Sequence, residues 1–310
     1  MHRPSAALLA ASALLATAAL TGCTYASRQP TAAATSGPTE TTGVDLSTLK
    51  PGAAAALVPA AAKTKGTLTV ATSATFPPFE FIGQDGHTIV GFDADMAAGI
   101  AAKMGLKVSM INTGFETILV GIDSGKQDMA MSGLAITPER GKVVDFVAYL
   151  FGGTGLGVPK GNPQQLSMDP MTLCGHSVGA PKGSLQGIEF LPKFSDECVA
   201  NGKKPINVLL YPSQNEANLA VVSGRSDAVM APATPMNYEF RRSNIAMELA
   251  PGKPYKPVQV GIAMANESPL APAVSKAVQE LVADGTMQQL MHTWDIPETA
   301  LDPDAGEIIR

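Results

Sequence analysis

Two stretches of this chain read alike. Asp123-Ser-Gly-Lys-Gln-Asp128-Met-Ala-Met131 and Val222-Ser-Gly-Arg-Ser-Asp227-Ala-Val-Met230 each close a helical pattern with a glycine, turn through polar residues and enter an apolar strand. Common helix-turn-strand chemistry could produce the likeness by chance. Taken as a repeat, it calls for two α/β lobes of similar build. Two lobes leave a cleft, and clefts at such boundaries are where small molecules bind.

From Gly66 onward the pattern agrees. Thr67–Thr72 reads as a strand, Thr88–Phe92 as a short extended piece, and Asp93–Met104 as a helix with Met96, Ile100 and Met104 on one face. Lys107–Asn112 is a strand, Phe115–Ser124 a helix and Asp128–Ser132 a strand, and Thr137 opens another helix. Strands alternating with helices predict an α/β fold whose sheets are mainly parallel and covered on both faces. Before this, Ala53–Val58 begins a short helical segment that ends before Gly66.

The N-terminus reads as an export signal. Arg3 supplies the positive start, and Ala6–Leu20 is an apolar run too short and too rich in small residues to span a bilayer comfortably. Leu20-Thr21-Gly22-Cys23 then forms a lipobox. Residues 1–22 are expected to be removed as a lipoprotein signal peptide. Cys23 is expected to carry the acyl chains that hold the protein on the outer face of the cell membrane. Residues 23–52 are mostly Thr, Ala, Ser, Gly and Pro, and read as a flexible tether.

The net charge of −5 argues against nucleic acid or an anionic lipid surface as partner. Phosphate-cradling glycine loops and zinc-spaced Cys/His pairs are absent, and His2, His87, His176 and His292 are scattered. No metal or cofactor is expected. Cys174 and Cys198 remain after Cys23 is assigned to lipid. Export makes a disulfide between them the expectation, with two buried thiols as the alternative.

Two segments carry binding chemistry. Thr75-Phe76-Pro77-Pro78-Phe79-Glu80-Phe81 follows the first strand, and its prolines stop that strand in a turn. That turn presents aromatics and one carboxylate at the strand end where α/β folds bind ligands. Ser132-Gly133-Leu134-Ala135-Ile136-Thr137-Pro138-Glu139-Arg140 runs from a strand end into a helix start. Thr137 suits the cap and Pro138 the first turn. The small residues admit a ligand to backbone N–H groups, and Arg140 can clamp a carboxylate with two parallel hydrogen bonds.

In order and spacing these segments resemble the polar amino-acid solute-binding proteins of ABC importers, solute-binding protein family 3. The anchors are Phe76-Pro77-Pro78-Phe79-Glu80-Phe81, Gly91-Phe92-Asp93-Ala94-Asp95, Gly125-Lys126-Gln127-Asp128 through Ile136-Thr137-Pro138-Glu139-Arg140, and Val278 through Trp294. The resemblance runs from about Gly66 to Ile296. It implies a bilobal Venus-flytrap fold of two mainly parallel sheets joined by two hinge segments, here Gly152–Val158 and Val258–Ala263. Lobe 1 would be 53–155 plus 262–310, and lobe 2 would be 156–261. It implies that Phe76 and Phe115 sandwich the ligand side chain; Phe79 and Glu80, from the same turn as Phe76, are expected at the site on the reading of that turn. Arg140 would bind the carboxylate, the backbone of Ser132 and Ala135 would meet the α-carbon groups, with Gly133 between them also expected at the site, and the turn at Gly183, Ser184 and Leu185 would complete the carboxylate site.

The chain departs from the family at the amine. A hydroxyl is usual at Ala135, an acid at Pro232 and often an acid at Ser73, and each is absent here. Glu80 is the one evident anion nearby, and a buried ammonium without an acceptor is costly. The expected ligand is therefore an amino acid held in another way, or a carboxylate compound with a methylated amine that aromatic rings would hold through cation–π contact. The expected role is non-catalytic: a monomer that captures a small carboxylate-bearing solute and delivers it to ABC permease subunits. A sensor or accessory lipoprotein and a dehydratase-type enzyme on the same fold are the rival readings.

Overall fold

The computed structural model describes residues 45–297 and 300–310. The signal peptide, Cys23 and most of the expected tether lie outside the described residues. The last tether residues do make contacts: Leu49 packs against the main core, and the Gly52 N–H donates to the Lys103 carbonyl at 2.9 Å.

The strands are β1 (Thr67–Thr72), β2 (Thr75–Phe76), β3 (Glu80–Ile82), β4 (Ile89–Val90), β5 (Lys107–Asn112), β6 (Met129–Ala130) and β7 (Val144–Pro159). They continue as β8 (Ser177–Pro181), β9 (Asn207–Tyr211), β10 (Ala228–Pro232), β11 (Met247–Leu249), β12 (Tyr255–Ala265) and β13 (Ile308–Ile309). The fold is α/β and bilobal, but the two expected parallel sheets are not separate. β5-β1-β6 and β10-β8-β9 are parallel blocks at the ends of one mixed sheet ordered β5-β1-β6-β12-β7-β10-β8-β9. The long strands β7 and β12 pair antiparallel between the blocks and fuse them. Both expected hinge segments lie in these two strands, and small residues there let the pair pass from one block to the other.

Helices cover both ends of this sheet. On the β1 block, Phe92, Met96 and Ile100 of helix Phe92–Met104 meet Leu281 of helix Ala271–Ala283 and Leu290 of helix Thr286–Thr293. Ile118, Ile122 and Phe146 fill the opposite face. On the β8 block, Leu156, Met230, Phe190 and Phe194 form one core, and Val221, Val229 and Met236 the other. The Phe92–Met104 helix ends at Gly105, whose φ of 70° closes the helix and turns the chain into β5. The expected single segment before Gly66 is two short helices, Ala54–Leu57 and Ala60–Lys65, because Pro59 has no N–H to continue the first. Cys174 and Cys198 form the expected disulfide, with Cα atoms 5.5 Å apart.

A cleft around a buried arginine

The strand ends converge on a cleft enclosing about 540 Å³ free of protein atoms, part of it open to solvent. Phe76, Glu80, Phe115, Ser132, Gly133, Ala135 and Arg140 line it from the β1 block, and Ser184, Leu185 and Pro232 line it from the β8 block. Phe79 is the exception among the expected residues. It is buried in the main core against Phe76 and Phe92, with ring centroids 5.9 and 6.1 Å away, and lines a neighbouring cavity toward the hinge instead.

Arg140 sits where the local sequence puts it. Thr137 caps the helix Pro138–Gly141 by accepting from the Arg140 N–H at 3.2 Å, which fixes the backbone from which the guanidinium starts. Nη1 donates to the Ala135 carbonyl at 2.7 Å and Nη2 to the Gly183 carbonyl at 3.0 Å, and the guanidinium lies 5.9 Å from the Phe115 ring centroid. The side chain is buried, and among the described residues no carboxylate pairs with it. Burial alone pulls its pKa down to about 10. Three N–H groups remain for another acceptor.

Gly133 is required twice. Its φ of +54° favours glycine, and a Cβ there would stand 3.1 Å from the Phe76 ring. The turn at Gly183 has φ +79°, and a Cβ would meet the backbone of Glu116 across the cleft at 3.3 Å. Lys182 and Glu116 pair beside it at 3.1 Å.

Behind the cleft wall lies an acid network. Ser132 Oγ accepts from the Ser73 N–H at 3.1 Å and donates to Glu80 Oε1 at 2.7 Å. Glu80 Oε2 meets no donor among the described residues. Asp93 accepts from the Tyr149 hydroxyl at 2.8 Å and from the Gly133 N–H at 3.1 Å. Burial first, and then the Asp93 charge, hold the Glu80 carboxyl well above the usual range. Burial raises Asp93 to about 6, with the Tyr149 and Gly133 bonds opposing. Donor count and direction agree: Glu80, whose Oε2 meets no donor among the described residues, is held toward its neutral form beside Asp93.

Several lining residues had no sequence signal. Gln186 opens the short helical turn Gln186–Phe190 and donates to Thr154 Oγ1 at 2.7 Å. Gln214 follows the cap Ser213 and reads as an ordinary first helical residue. Asp93 in a first helical turn reads as an acid that complements the helix dipole, which hides its burial.

The chain matches the bacterial extracellular solute-binding proteins, family 3, over residues 68–297. It belongs to that family. Family 3 relatives include the arginine-binding protein ArgT of Corynebacterium glutamicum, 33% identical over 247 residues that cover 80% of each chain. Among solved structures, an ancestral arginine-binding protein bound to glutamine aligns with a TM-score of 0.65 and 34% identity, over 75% of this chain and 99% of that one. An ancestral amino acid-binding protein described as a precursor of cyclohexadienyl dehydratase aligns with a TM-score of 0.67 and 28% identity, over 76% and 97%. Within this family-3 chain, no helix among the described residues is long and apolar enough to cross a membrane.

Proposed function

We propose that this family-3 protein captures a small α-amino acid or similar carboxylate in its cleft and delivers it to the permease of an ABC importer. One observation carries the reading. Arg140 is a buried cation held in place by neutral carbonyl oxygens, with spare N–H groups and no carboxylate of the protein's own among the described residues. A ligand carboxylate supplies the missing charge, and a bidentate guanidinium contact suits it. The amino-acid-binding relatives support the same class.

Ligand contacts from both blocks would favour closure as a population shift. The chain is read as a monomer. It is read as binding rather than catalysing, because Glu80, the one acid lining the cleft among the described residues, is bonded to Ser132 and buried beside Asp93. Phe76 and Phe115, flanking the cleft, are read as the walls for the ligand side chain, with Ser132, Gly133, Ala135, Ser184, Leu185 and Pro232 completing it. Phe79 supports Phe76 from the core. The lobes divide as 53–155 plus 262–310 and 156–261. The lipobox at Leu20–Cys23 supports a lipid anchor on the outer face of the cell membrane, which mass spectrometry of the mature N-terminus checks. Calorimetry with a panel of L-amino acids, followed by Arg140→Ala, tests the binding role. Retained affinity in that variant rejects it. Product analysis after incubation tests the dehydratase-type alternative, and co-purification with a permease separates importer from sensor.

A further inference from the structure

Gln214 lines the cleft and is 4% exposed, yet among the described residues its Oε1 has no hydrogen-bond partner. The rest of its side chain is fixed by a relay. The Glu239 carboxylate can only accept, so Asn218 turns its Nδ2 toward it, at 2.8 Å. Asn218 Oδ1 must then face Gln214, and it takes Gln214 Nε2 at 2.8 Å. Flipping either amide would set oxygen against oxygen. Oε1 is therefore the atom that Gln214 has left over, an acceptor in search of an N–H. Gln214 is the first residue of the helix Gln214–Val222, which packs beside β2 of the opposite block. Ser213 Oγ takes the Glu216 N–H of that first turn at 3.2 Å. The N–H groups earlier in the turn have no intrahelical acceptor.

The charges of the cleft limit what can meet that acceptor. Its lining residues include one cation, Arg140, and one acid, Glu80. Burial raises Glu80 and the buried Asp93 behind it toward their neutral forms, so the pair offers little negative charge to a ligand. A zwitterion with an uncharged side chain leaves the charge of the cleft unchanged. A guanidinium or side-chain ammonium adds a positive charge that no ionised carboxylate lining the cleft, among the described residues, faces. Burying an unpaired charge is costly.

We propose that Gln214, oriented by Asn218 and Glu239, selects amino acids whose side chain ends in a neutral amide or ureido group, of the glutamine or citrulline type, over those with a cationic end. The ligand N–H reaches Gln214 Oε1, and its carbonyl accepts from the N–H groups at the helix start that have no intrahelical acceptor. This rests on the amino-acid reading above and narrows it.

L-Glutamine, L-citrulline and L-arginine titrated by calorimetry test it, because citrulline is a neutral near-isostere of arginine. The expected result is that citrulline or glutamine binds at least about tenfold tighter than arginine, the size expected when a buried charge is left unpaired. Gln214→Leu should cost the amide ligands at least about tenfold while leaving the affinity for L-methionine within a few-fold, since methionine has no end group to lose. Gln214→Glu should reverse the order by placing a carboxylate in the cleft. A merely structural Gln214 would weaken all ligands together and lower the ligand-free melting temperature without moving the citrulline-to-arginine ratio. Arginine binding as tightly as citrulline or tighter, or a ratio unmoved by Gln214→Glu, overturns the proposal. If Arg140→Ala still abolishes binding in that case, the amino-acid reading stands and only the selectivity falls. Wild-type protein that binds none of these ligands overturns both.

Discussion

Arg140 Nη2 donates to the Gly183 carbonyl 3.0 Å away, so one side chain of the β1 block is tied to the main chain of the β8 block. The same guanidinium holds the Ala135 carbonyl of its own block at 2.7 Å. Neutral oxygens on two sides fix the direction of the cation without cancelling its charge. That is the arrangement a carboxylate ligand needs, because the fork is set before the ligand arrives and little rotamer freedom is left to lose.

Arg140→Ala should therefore lower amino-acid affinity by at least about tenfold, the size expected for one charge-assisted pair. Arg140→Lys should not restore it, because a lysine cannot hold Ala135, Gly183 and a carboxylate together with a planar fork. The ligand-free melting temperature should change little, since the variant also removes an unpaired buried cation. Calorimetry and a ligand-free melt decide the matter, and an unchanged affinity places the ligand elsewhere.

Glu80→Gln should leave both fold and binding close to wild type. A neutral amide repeats what the protonated carboxyl does: its oxygen accepts from Ser132, and its NH₂ donates to Asp93. Glu80→Leu can do neither, and should cost about 1–3 kcal/mol of stability by stranding buried polar groups. Urea midpoints of the two variants give the comparison. A tenfold loss of ligand affinity in Glu80→Gln, with the fold intact, means that Glu80 is ionised and meets the ligand amine directly.

The sequence made some of this legible and concealed the rest for physical reasons. Gly125 and Gly224 end helices and turn into strands in the two halves, so local chemistry alone announces two α/β blocks. Thr137, Pro138 and Arg140 were readable because a cap, a first-turn proline and a basic residue at a strand end combine into one anion-binding pattern. The fusion of both blocks through β7 and β12 was not readable, since antiparallel pairing between distant strands leaves no short-range signal. Phe79 and Phe76 have the same chemistry three residues apart. Only the path of the turn sends Phe79 to the core and leaves Phe76 in the cleft. Gln214 and Asp93 were missed because a helix start is an ordinary place for either residue.

Stability should fall as pH rises above about 5. The Asp93 pKa is about 6 in the fold against 3.8 for an ordinary aspartate, so the folded state binds more protons between those values. Its contribution is complete below about 4 and is lost as pH climbs through 6, and Glu80, raised by burial and by the Asp93 charge, acts in the same sense. Asp128, Asp227 and Asp284 are lowered by their bonding partners and act in the opposite sense, so their contribution is lost only as pH falls below the ordinary aspartate value. Urea midpoints should therefore peak near pH 4–5, and Glu80→Gln should flatten the decline on the alkaline side of that peak. A midpoint that climbs from pH 5 to pH 8 would falsify this placement of the proton.

The disulfide should matter to stability more than to binding. Cys174 ends the short helix Pro170–Leu173, and Cys198 is fully buried in the helix Leu191–Ala200, beside the core formed by Leu191 and Phe194. Closing a loop of this length contributes roughly 3 kcal/mol by constraining the unfolded chain. Neither cysteine lines the cleft. Replacing both with serine should lower the melting temperature by several degrees or more, at roughly 2–4 °C per kcal/mol for a chain of this size. Amino-acid affinity at a temperature well below the melt should stay within about threefold of wild type, because the Gly183–Ser184 turn is held by its own hydrogen bonds and by Arg140. Alkylation of the non-reduced mature protein should leave both thiols unlabelled. Full labelling of Cys174 and Cys198 in air-exposed protein would mean that the two sulfurs are not bonded and that the core around Phe194 holds this half of the chain without them.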